Sequence, residues 1–326
     1  MRHASAVSDP ESEKVKRQLV TSKLNLPRII SAVLASVLLP YAITASAQRT
    51  IEVSASDKEM LLAIETLDHA RVERLLKHGF PVNAPFLNSG TSPTHVAARI
   101  GDEKMLALFV AHGAIVDLPT RDARKDTPLL VAAGAGNLET ARYLLAHGAN
   151  PNYQNGINQD DYAVAHYAPD SRNGLKMLQL LRRYKTNFDV VSLNKTSVLA
   201  AAIFAERADA VGFLLNNGAN AEANDLTGLR PICNAVLTED IGIVRVMVNH
   251  RVSLNHLDCS DGAGSKGLSP LHVASRSGAA EIVRLLTKAG ANVELRSTGG
   301  MIPEELANAE GHTEIASYLS RLRMGR

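Results

Sequence analysis

Histidine and cysteine are the residues of this chain whose chemistry could support a catalytic or metal-binding site. The sequence contains 11 histidines and 2 cysteines, Cys233 and Cys259, among 326 residues. Their spacing matches no G-x-S-x-G elbow, P-loop, H-E-x-x-H helix or paired C-x-x-C motif. The sequence therefore predicts no catalytic residue, no metal site and no cofactor, and we expect that the protein is not an enzyme.

One connection in the second half of the chain carries two further candidate segments. Asp258–Asp261 offers two carboxylates, which alone are weak evidence for a calcium site against a solvated loop. Gly262–Gly264 is too short to cradle a phosphate, and a flexible loop is the better interpretation. The whole stretch from His256 to Lys266 is predicted to be an enlarged loop. It is either a recognition element or a tolerated insertion.

The elements that position these residues follow from a repeated phrase. Ser269–Ala274 reads S-P-L-H-V-A, and weaker copies recur about every 33 residues. A proline fits the first turn of a helix, and a preceding Ser or Thr can cap that end. Each copy therefore predicts the start of a first helix. The other copies are Ser92–Ala97, Thr127–Ala132, Thr196–Ala201, Arg230–Ala235 and Ile302–Ala307.

A second helix is predicted after each copy, and an apolar anchor marks its end. Five anchors are followed four residues later by a glycine, which can adopt the left-handed conformation that ends a helix. Lys185 and Arg251 replace that glycine in the fourth and sixth units, so those turns should be strained or differently shaped. The anchors are Leu75, Phe109, Leu144, Leu181, Leu214, Met247, Leu286 and Leu319, and the glycines are Gly79, Gly113, Gly148, Gly218 and Gly290.

A unit of about 33 residues with a turn, two helices and the phrase T-P-L-H-x-A resembles the ankyrin repeat family. The resemblance covers residues 55–326. It implies an all-α solenoid of about eight helix-turn-helix repeats joined by short β-turn or hairpin loops, with atypical first and last repeats. The fourth repeat, around Asp161–Asp189, is the poorest, because Pro169 and Asp170 interrupt it.

The resemblance also explains five of the histidines as structural residues. His95 and His272 occupy the motif position, where ankyrin repeats use histidine to hydrogen-bond between neighbouring turns. His78, His112 and His147 immediately precede helix-ending glycines. A residue compatible with positive charge is favourable there, because the carbonyl end of a helix is partly negative.

Residues 1–47 are predicted to be a secretory signal peptide, followed by a short linker at 48–54. An apolar stretch, Ile29–Ile43, precedes the small-residue cleavage site Ala45–Ala47. The stretch contains Pro40 and is shorter than the roughly 20 residues of a membrane span. An uncleaved signal anchor is the alternative. The leader before the stretch is long and partly acidic, which suggests a translation start near Leu24.

Export predicts a periplasmic or secreted protein without stable membrane insertion. Removing residues 1–47 leaves 29 basic and 30 acidic residues. The mature chain therefore lacks the excess of basic residues that is typical of nucleic-acid binding. Aromatic residues make up 4% of the chain and apolar residues 45%, which suits thin layers of stacked helices in one elongated, monomeric domain.

The two cysteines allow two interpretations. In an oxidising compartment, a disulfide could tie the loop at Cys259 to the sixth repeat at Cys233. Alternatively, Cys233 is a small buried residue at the motif-histidine position and Cys259 is an unrelated loop thiol.

The resemblance places a protein-binding surface on a concave groove formed by the turns and the exposed ends of the first helices. An apolar patch of Ile203, Phe204, Leu226, Leu229, Leu237 and Leu268, flanked by Arg276 and Lys266, is predicted there. In the alternative arrangement, Leu229 and Leu268 fold inward. The candidate partner-binding residues are Arg99, Ile100, Arg124, Ile203, Phe204, Leu226, Leu237, Lys266 and Arg276.

The predicted function is that of a non-enzymatic scaffold or adaptor in the bacterial cell envelope that binds a protein partner. Two other classes would use the same groove. One is an immunity protein or inhibitor that occludes a periplasmic toxin or hydrolase. The other is a secreted effector that acts on host proteins.

Overall fold

The computed structural model describes residues 54–86, 90–155, 163–192, 195–225, 227–261 and 265–325. These residues belong to one compact unit, Ile51–Arg326. The predicted signal peptide and the linker up to residue 53 lie outside the described residues.

The described residues contain sixteen helices in eight consecutive pairs, which confirms the predicted all-α repeat architecture. The first helices of the pairs are α1 (Ala55–Glu65), α3 (Pro93–Ile100), α5 (Pro128–Ala135), α7 (Val164–Tyr167), α9 (Val198–Phe204), α11 (Pro231–Leu237), α13 (Pro270–Ser277) and α15 (Pro303–Ala309). The second helices are α2 (His69–Lys77), α4 (Glu103–Ala111), α6 (Leu138–Ala146), α8 (Gly174–Arg183), α10 (Ala208–Asn216), α12 (Ile241–Asn249), α14 (Ala280–Lys288) and α16 (Thr313–Met324).

The motif residues start the first helices as the sequence predicts. Proline is the first residue of α3, α5, α11, α13 and α15, where the missing N–H has no helical partner to lose. In α5 the hydroxyl of Thr127 accepts a hydrogen bond from the backbone N–H of Leu130 at 3.4 Å. Local sequence therefore fixes where each first helix begins.

Stacking of equivalent helices builds the core. Each first helix contacts the first helix of the next repeat, from α1 through α15. The alanines of the motif, such as Ala97 and Ala132, are fully buried, so the helices approach closely. Seven predicted anchors, from Phe109 to Leu319, are buried. In the first repeat Leu76 is the buried residue, and the predicted anchor Leu75 is only partly buried.

The fourth repeat keeps the repeat pattern despite its short first helix. α7 has four residues and ends before Pro169. His166 nevertheless occupies the motif position, and its Nε2 donates a hydrogen bond to the carbonyl of Thr196 at 2.9 Å. The repeat is therefore joined to the fifth in the same way as better copies are joined to their neighbours.

The enlarged connection before the seventh repeat forms a small hairpin. Strand β1 (Cys259–Ser260) pairs antiparallel with strand β2 (Lys266–Leu268). The hairpin is also tied to the following turn, because the backbone N–H of Thr298 donates to the carbonyl of Gly267 at 3.0 Å. The described part of this connection is thus an ordered element between repeats.

Lys185 and Arg251 adopt the left-handed conformation that glycine has in the better repeats. Their φ angles are 59° and 57°, and the equivalent Gly218 and Gly290 have φ angles of 86° and 96°. Both side chains are exposed. A residue with a Cβ pays roughly 1–2 kcal/mol for this conformation. The strain that the sequence predicts at these two turns is therefore present.

Replacing either residue with glycine is expected to stabilise the protein. Lys185→Gly or Arg251→Gly removes the Cβ clash, and the greater freedom of glycine in the unfolded chain offsets part of the gain. We expect a net increase of roughly 0.5–1 kcal/mol in the free energy of unfolding. Urea unfolding followed by helical circular dichroism measures it. Lys288→Gly, at the last residue of α14, is the control and should destabilise; an equal response of all three variants would contradict the explanation.

Candidate protein-binding surface

One position lies six residues after the motif-proline position, at the end of the first helix in every one of repeats two to seven except the fourth, where the short helix α7 ends before it. It is the last residue of α9 (Phe204) and of α11 (Leu237), and the next-to-last residue of α13 (Arg276). We call the residues at this position the first-helix column. In repeats two to seven they are Arg99, Gly134, Asp170, Phe204, Leu237 and Arg276.

The centre of the first-helix column is apolar. Phe204 and Leu237 are both partly buried, and α9 and α11, which carry them, contact each other. Leu237 packs against the core with part of its side chain. Two neighbouring repeats therefore present an aromatic and an aliphatic side chain at equivalent, solvent-accessible positions.

Ile203 does not belong to this surface, so its assignment to the partner-binding set is wrong. Its exposed fraction is 0%. Counted from Ser197, it occupies the position that fully buried Ala98 has in the second repeat. The looser fifth motif shifted the predicted phase by one residue. An isoleucine at this position faces the neighbouring helices, and Phe204 takes the exposed place.

The rest of the predicted apolar patch is smaller than expected. Leu268 is buried with 3% exposure, and Leu229 is partly buried against the core. Leu268 therefore folds inward, as in the alternative arrangement, and Leu229 does so in part. Ile100, next to exposed Arg99, is also partly buried against the core. Leu226 lies outside the described residues.

The residues of the predicted basic rim differ in their surroundings. Arg99, Arg124 and Lys266 are exposed. Arg276 forms ion pairs with Asp261 and, at 3.0 Å, with Glu310. It therefore fastens the hairpin and the last repeat to α13, and its guanidinium group is engaged within the protein.

The motif histidines join neighbouring repeats, as the resemblance implies. His95 Nδ1 accepts a hydrogen bond from the Ser92 backbone N–H at 3.1 Å, and its Nε2 donates to the carbonyl of Asp126 at 2.9 Å. His272 does the same with Ser269 and with the carbonyl of Met301. Burial lowers the pKa of His95 to about 4 and also lowers the pKa of His272. Both rings are neutral structural links near neutral pH.

The histidines before the helix ends contact the carbonyl groups at those ends, where the sequence predicts a favourable position for them. The Nδ1 atoms of His78, His112 and His147 donate to the carbonyl four residues earlier at 2.7–2.8 Å. His250 does the same with Val246 at 2.8 Å, although the sequence analysis did not include it. The position before a helix-ending residue is the signal that could have identified it.

The two cysteines form a disulfide that joins the sixth repeat to the hairpin. Cys233 in α11 and Cys259 in β1 have Cα atoms 5.2 Å apart and are both buried. His256 lies beside them with 8% of its side chain exposed. Burial and the nearby Arg230 guanidinium lower the pKa of His256. Sequence reasoning missed His256, because it lies in an insertion outside the repeat motif.

None of the described helices is long and apolar enough to cross a lipid bilayer.

Comparisons with known proteins agree on the repeat type. A family model described as three copies of the ankyrin repeat matches residues 60–155, and a single ankyrin repeat model matches residues 266–298. Cyclin-dependent kinase 4 inhibitor B of Rattus norvegicus is 31% identical over 121 residues, which cover 37% of this chain and 88% of that protein. B-cell lymphoma 3 protein homolog of Mus musculus is 26% identical over 233 residues, 69% of this chain and 50% of that protein.

The chain spans a small part of some larger relatives. It covers 18% of Transient receptor potential cation channel subfamily A member 1 of Homo sapiens, at 24% identity over 205 residues. Among solved structures, the ankyrin repeat domains of human ASB11 and of Bcl-3 each align with a TM-score of 0.59. Their identities are 23% and 24%, and each alignment covers 70% of this chain and 98% or 99% of the solved domain. These structures show the same fold.

Proposed function

Because this chain belongs to the ankyrin repeat family, we propose that it is a non-enzymatic scaffold that binds a protein partner through its first-helix column. The neighbouring pair Phe204 and Leu237 carries this proposal. Both side chains end first helices that contact each other, and both remain partly accessible to solvent.

The composition around this pair is that of a protein interface. An apolar centre with a polar rim is typical of such surfaces, and aromatic anchors often provide much of the binding energy. Phe204 and Leu237 form an apolar centre, and the first-helix column continues to exposed Arg99 in the second repeat. The stacked repeats hold these side chains on rigid helices, so binding need not order a flexible segment.

We further propose that the protein acts in the cell envelope of a bacterium, either in the periplasm or after secretion. The apolar stretch Ile29–Ile43 and the small residues Ala45–Ala47 support export. The Cys233–Cys259 disulfide is also of the kind that persists in oxidising compartments. Sequencing the N-terminus of the mature protein tests this assignment; a chain that begins before Ala45 would contradict cleavage.

Inhibition of an enzyme is a second candidate function, and one comparison favours it. The alignment with this chain covers 88% of cyclin-dependent kinase 4 inhibitor B. That protein is, by its name, an inhibitor of another protein. An immunity protein would use the same surface as an adaptor. Measuring the activity of the captured partner with and without this protein separates the two functions.

Affinity capture of the full chain tests the proposal. A C-terminal tag, close to Met324, which is 78% exposed, leaves the repeats unchanged. The tagged chain is expressed in the organism that encodes it, beside a Phe204→Asp/Leu237→Asp variant. We expect a protein that the wild type enriches and this variant loses, because two carboxylates at the apolar centre would be desolvated without partners.

A matched control makes the same chemical change elsewhere. Leu62 and Ile115 are 49% and 53% exposed and lie outside the first-helix column. Leu62→Asp/Ile115→Asp should retain the captured protein. The proposal would be wrong if all three chains captured the same proteins in equal amounts, or if the control lost the partner while Phe204→Asp/Leu237→Asp kept it.

A further inference from the structure

Three groups that commonly bind metal ions converge between the sixth repeat and the hairpin. Cys233 lies in α11, Cys259 in β1 and His256 in the segment between α12 and β1. One candidate ligand atom from each residue lies within 4.8 Å of the other two. Both cysteines are buried, and 8% of the His256 side chain is exposed. The chain thus brings two sulfur atoms and one imidazole together in a protected place.

The imidazole of His256 has an unusual environment. Its Nε2 is buried and has no hydrogen-bond partner within the described part of the chain. A buried polar atom without a hydrogen-bond partner is destabilising, so such an atom needs an explanation. The other ring nitrogen, Nδ1, lies 3.4 Å from the backbone nitrogen of Asp258 and 3.8 Å from its carboxylate. Nδ1 therefore has polar neighbours. Nε2 can act as a metal ligand in the tautomer that carries the ring proton on Nδ1, because a metal ion binds the unprotonated nitrogen.

We propose that the reduced form of this protein binds one divalent metal ion of the zinc class through Cys233, His256 and Cys259. Two thiolates and an imidazole are a ligand set that zinc uses, and three protein ligands leave a fourth position for water or another molecule. In the disulfide form the sulfur atoms are bonded to each other and are not thiolates. The disulfide and the metal therefore exclude each other, and the site responds to redox conditions.

A dithiol can supply the electrons and protons that convert the disulfide form into the reduced form. The dithiol supplies two electrons and two protons, the bond between the cysteine sulfurs breaks, and each sulfur becomes a thiol. The dithiol itself becomes a disulfide. Binding of the metal ion then displaces both thiol protons into solution, because the thiolate is the ligand.

The nearby carboxylates favour this metal class over calcium. Asp258 is paired with Arg230 at 2.7 Å, and Asp261 is paired with Arg276. A calcium site needs several oxygen ligands, and these two carboxylates already neutralise arginines. Asp258 instead lies beside Nδ1 of His256, where a carboxylate commonly orients a metal-binding imidazole.

Cobalt and zinc titrations of the purified full chain test the proposal. The protein is reduced with a phosphine, freed of it without air, and titrated with Co²⁺. The expected result is one Co²⁺ per chain with thiolate-to-cobalt charge-transfer absorption, which Zn²⁺ then removes. The oxidised protein should show no such absorption. Reduced wild-type protein without this absorption would overturn the proposal, as would a reduced chain that lacks helical structure and does not regain it with Co²⁺.

Histidine variants separate a specific site from two reactive thiols. His256→Gln keeps both cysteines and should weaken Co²⁺ binding at least about 100-fold, because loss of an outer-shell partner alone costs 10–100-fold. The control is His250→Gln, at the exposed end of α12, which should bind as wild type does. The helical signal of each oxidised variant checks its folding. Wild-type affinity in folded His256→Gln would overturn the proposal.

Discussion

Reduction of the Cys233–Cys259 disulfide is expected to lower the free energy of unfolding by about 3.5 kcal/mol, measured with a chelator present. The disulfide closes a loop across a sequence separation of 26 residues, and a crosslink of that size restricts the unfolded chain by about this amount. Urea unfolding of the oxidised and reduced proteins measures the difference. Hydrogen exchange in α11 and in the β1–β2 hairpin should show the largest loss of protection, because the disulfide joins these two elements.

A cysteine-free chain provides the control for this prediction. Cys233→Ala/Cys259→Ala should unfold near the reduced wild type and should not respond to reductant. The disulfide would have no stabilising role if oxidised and reduced wild type unfolded at the same urea concentration. Addition of Zn²⁺ to the reduced wild type should recover part of the loss, because a ligand that binds the folded state alone stabilises it.

Lowering the pH from 6.5 to 4 is expected to remove roughly 3 kcal/mol of stability through His95 alone. In the folded protein its pKa is lowered to about 4, from an ordinary value of 6.5, mainly by burial. Between these values the unfolded chain binds a proton that the folded protein does not. Stability from this group is therefore complete above pH 6.5 and falls as the pH drops toward 4. His272, whose pKa is also lowered by burial, acts in the same direction.

His95→Gln isolates this contribution. Glutamine does not titrate, and its amide can still donate to the carbonyl of Asp126. The difference in free energy of unfolding between pH 7 and pH 4.5 should be roughly 2–3 kcal/mol smaller in the variant than in wild type. Asp126, whose pKa is raised by burial, is present in both proteins and cancels in the comparison. Parallel pH profiles of the two proteins would contradict the assignment to His95.

Most of the fold could be predicted because each repeat is specified by nearby residues. The motif proline, the small alanines and the helix-ending residue act within one unit, and stacking then repeats the same contacts. The pattern even indicated strain at Lys185 and Arg251, where a side chain replaces glycine. His166 shows the limit of motif matching, since the fourth repeat keeps its motif histidine without the proline that starts five of the other first helices.

The candidate binding surface was harder to predict, because a change of one residue in phase moves a side chain from the surface to the core. Ile203 is buried and its neighbour Phe204 is partly accessible. Arg276 has the expected position, but its ion pair with Asp261 depends on a hairpin that the repeat pattern does not specify, and a second ion pair joins it to Glu310 of the last repeat. The grouping of His256 with the two cysteines is likewise a tertiary contact within an insertion.

The affinity of the captured partner for three purified chains tests the central claim most directly. Titration calorimetry gives the dissociation constant for wild type, for Phe204→Asp/Leu237→Asp and for Leu62→Asp/Ile115→Asp. A central hot-spot residue contributes about 2 kcal/mol or more, so the first variant should bind at least about 30-fold more weakly than wild type. The second variant should bind as wild type does. Equal affinity of all three chains would show that the partner binds elsewhere and would contradict a functional first-helix column.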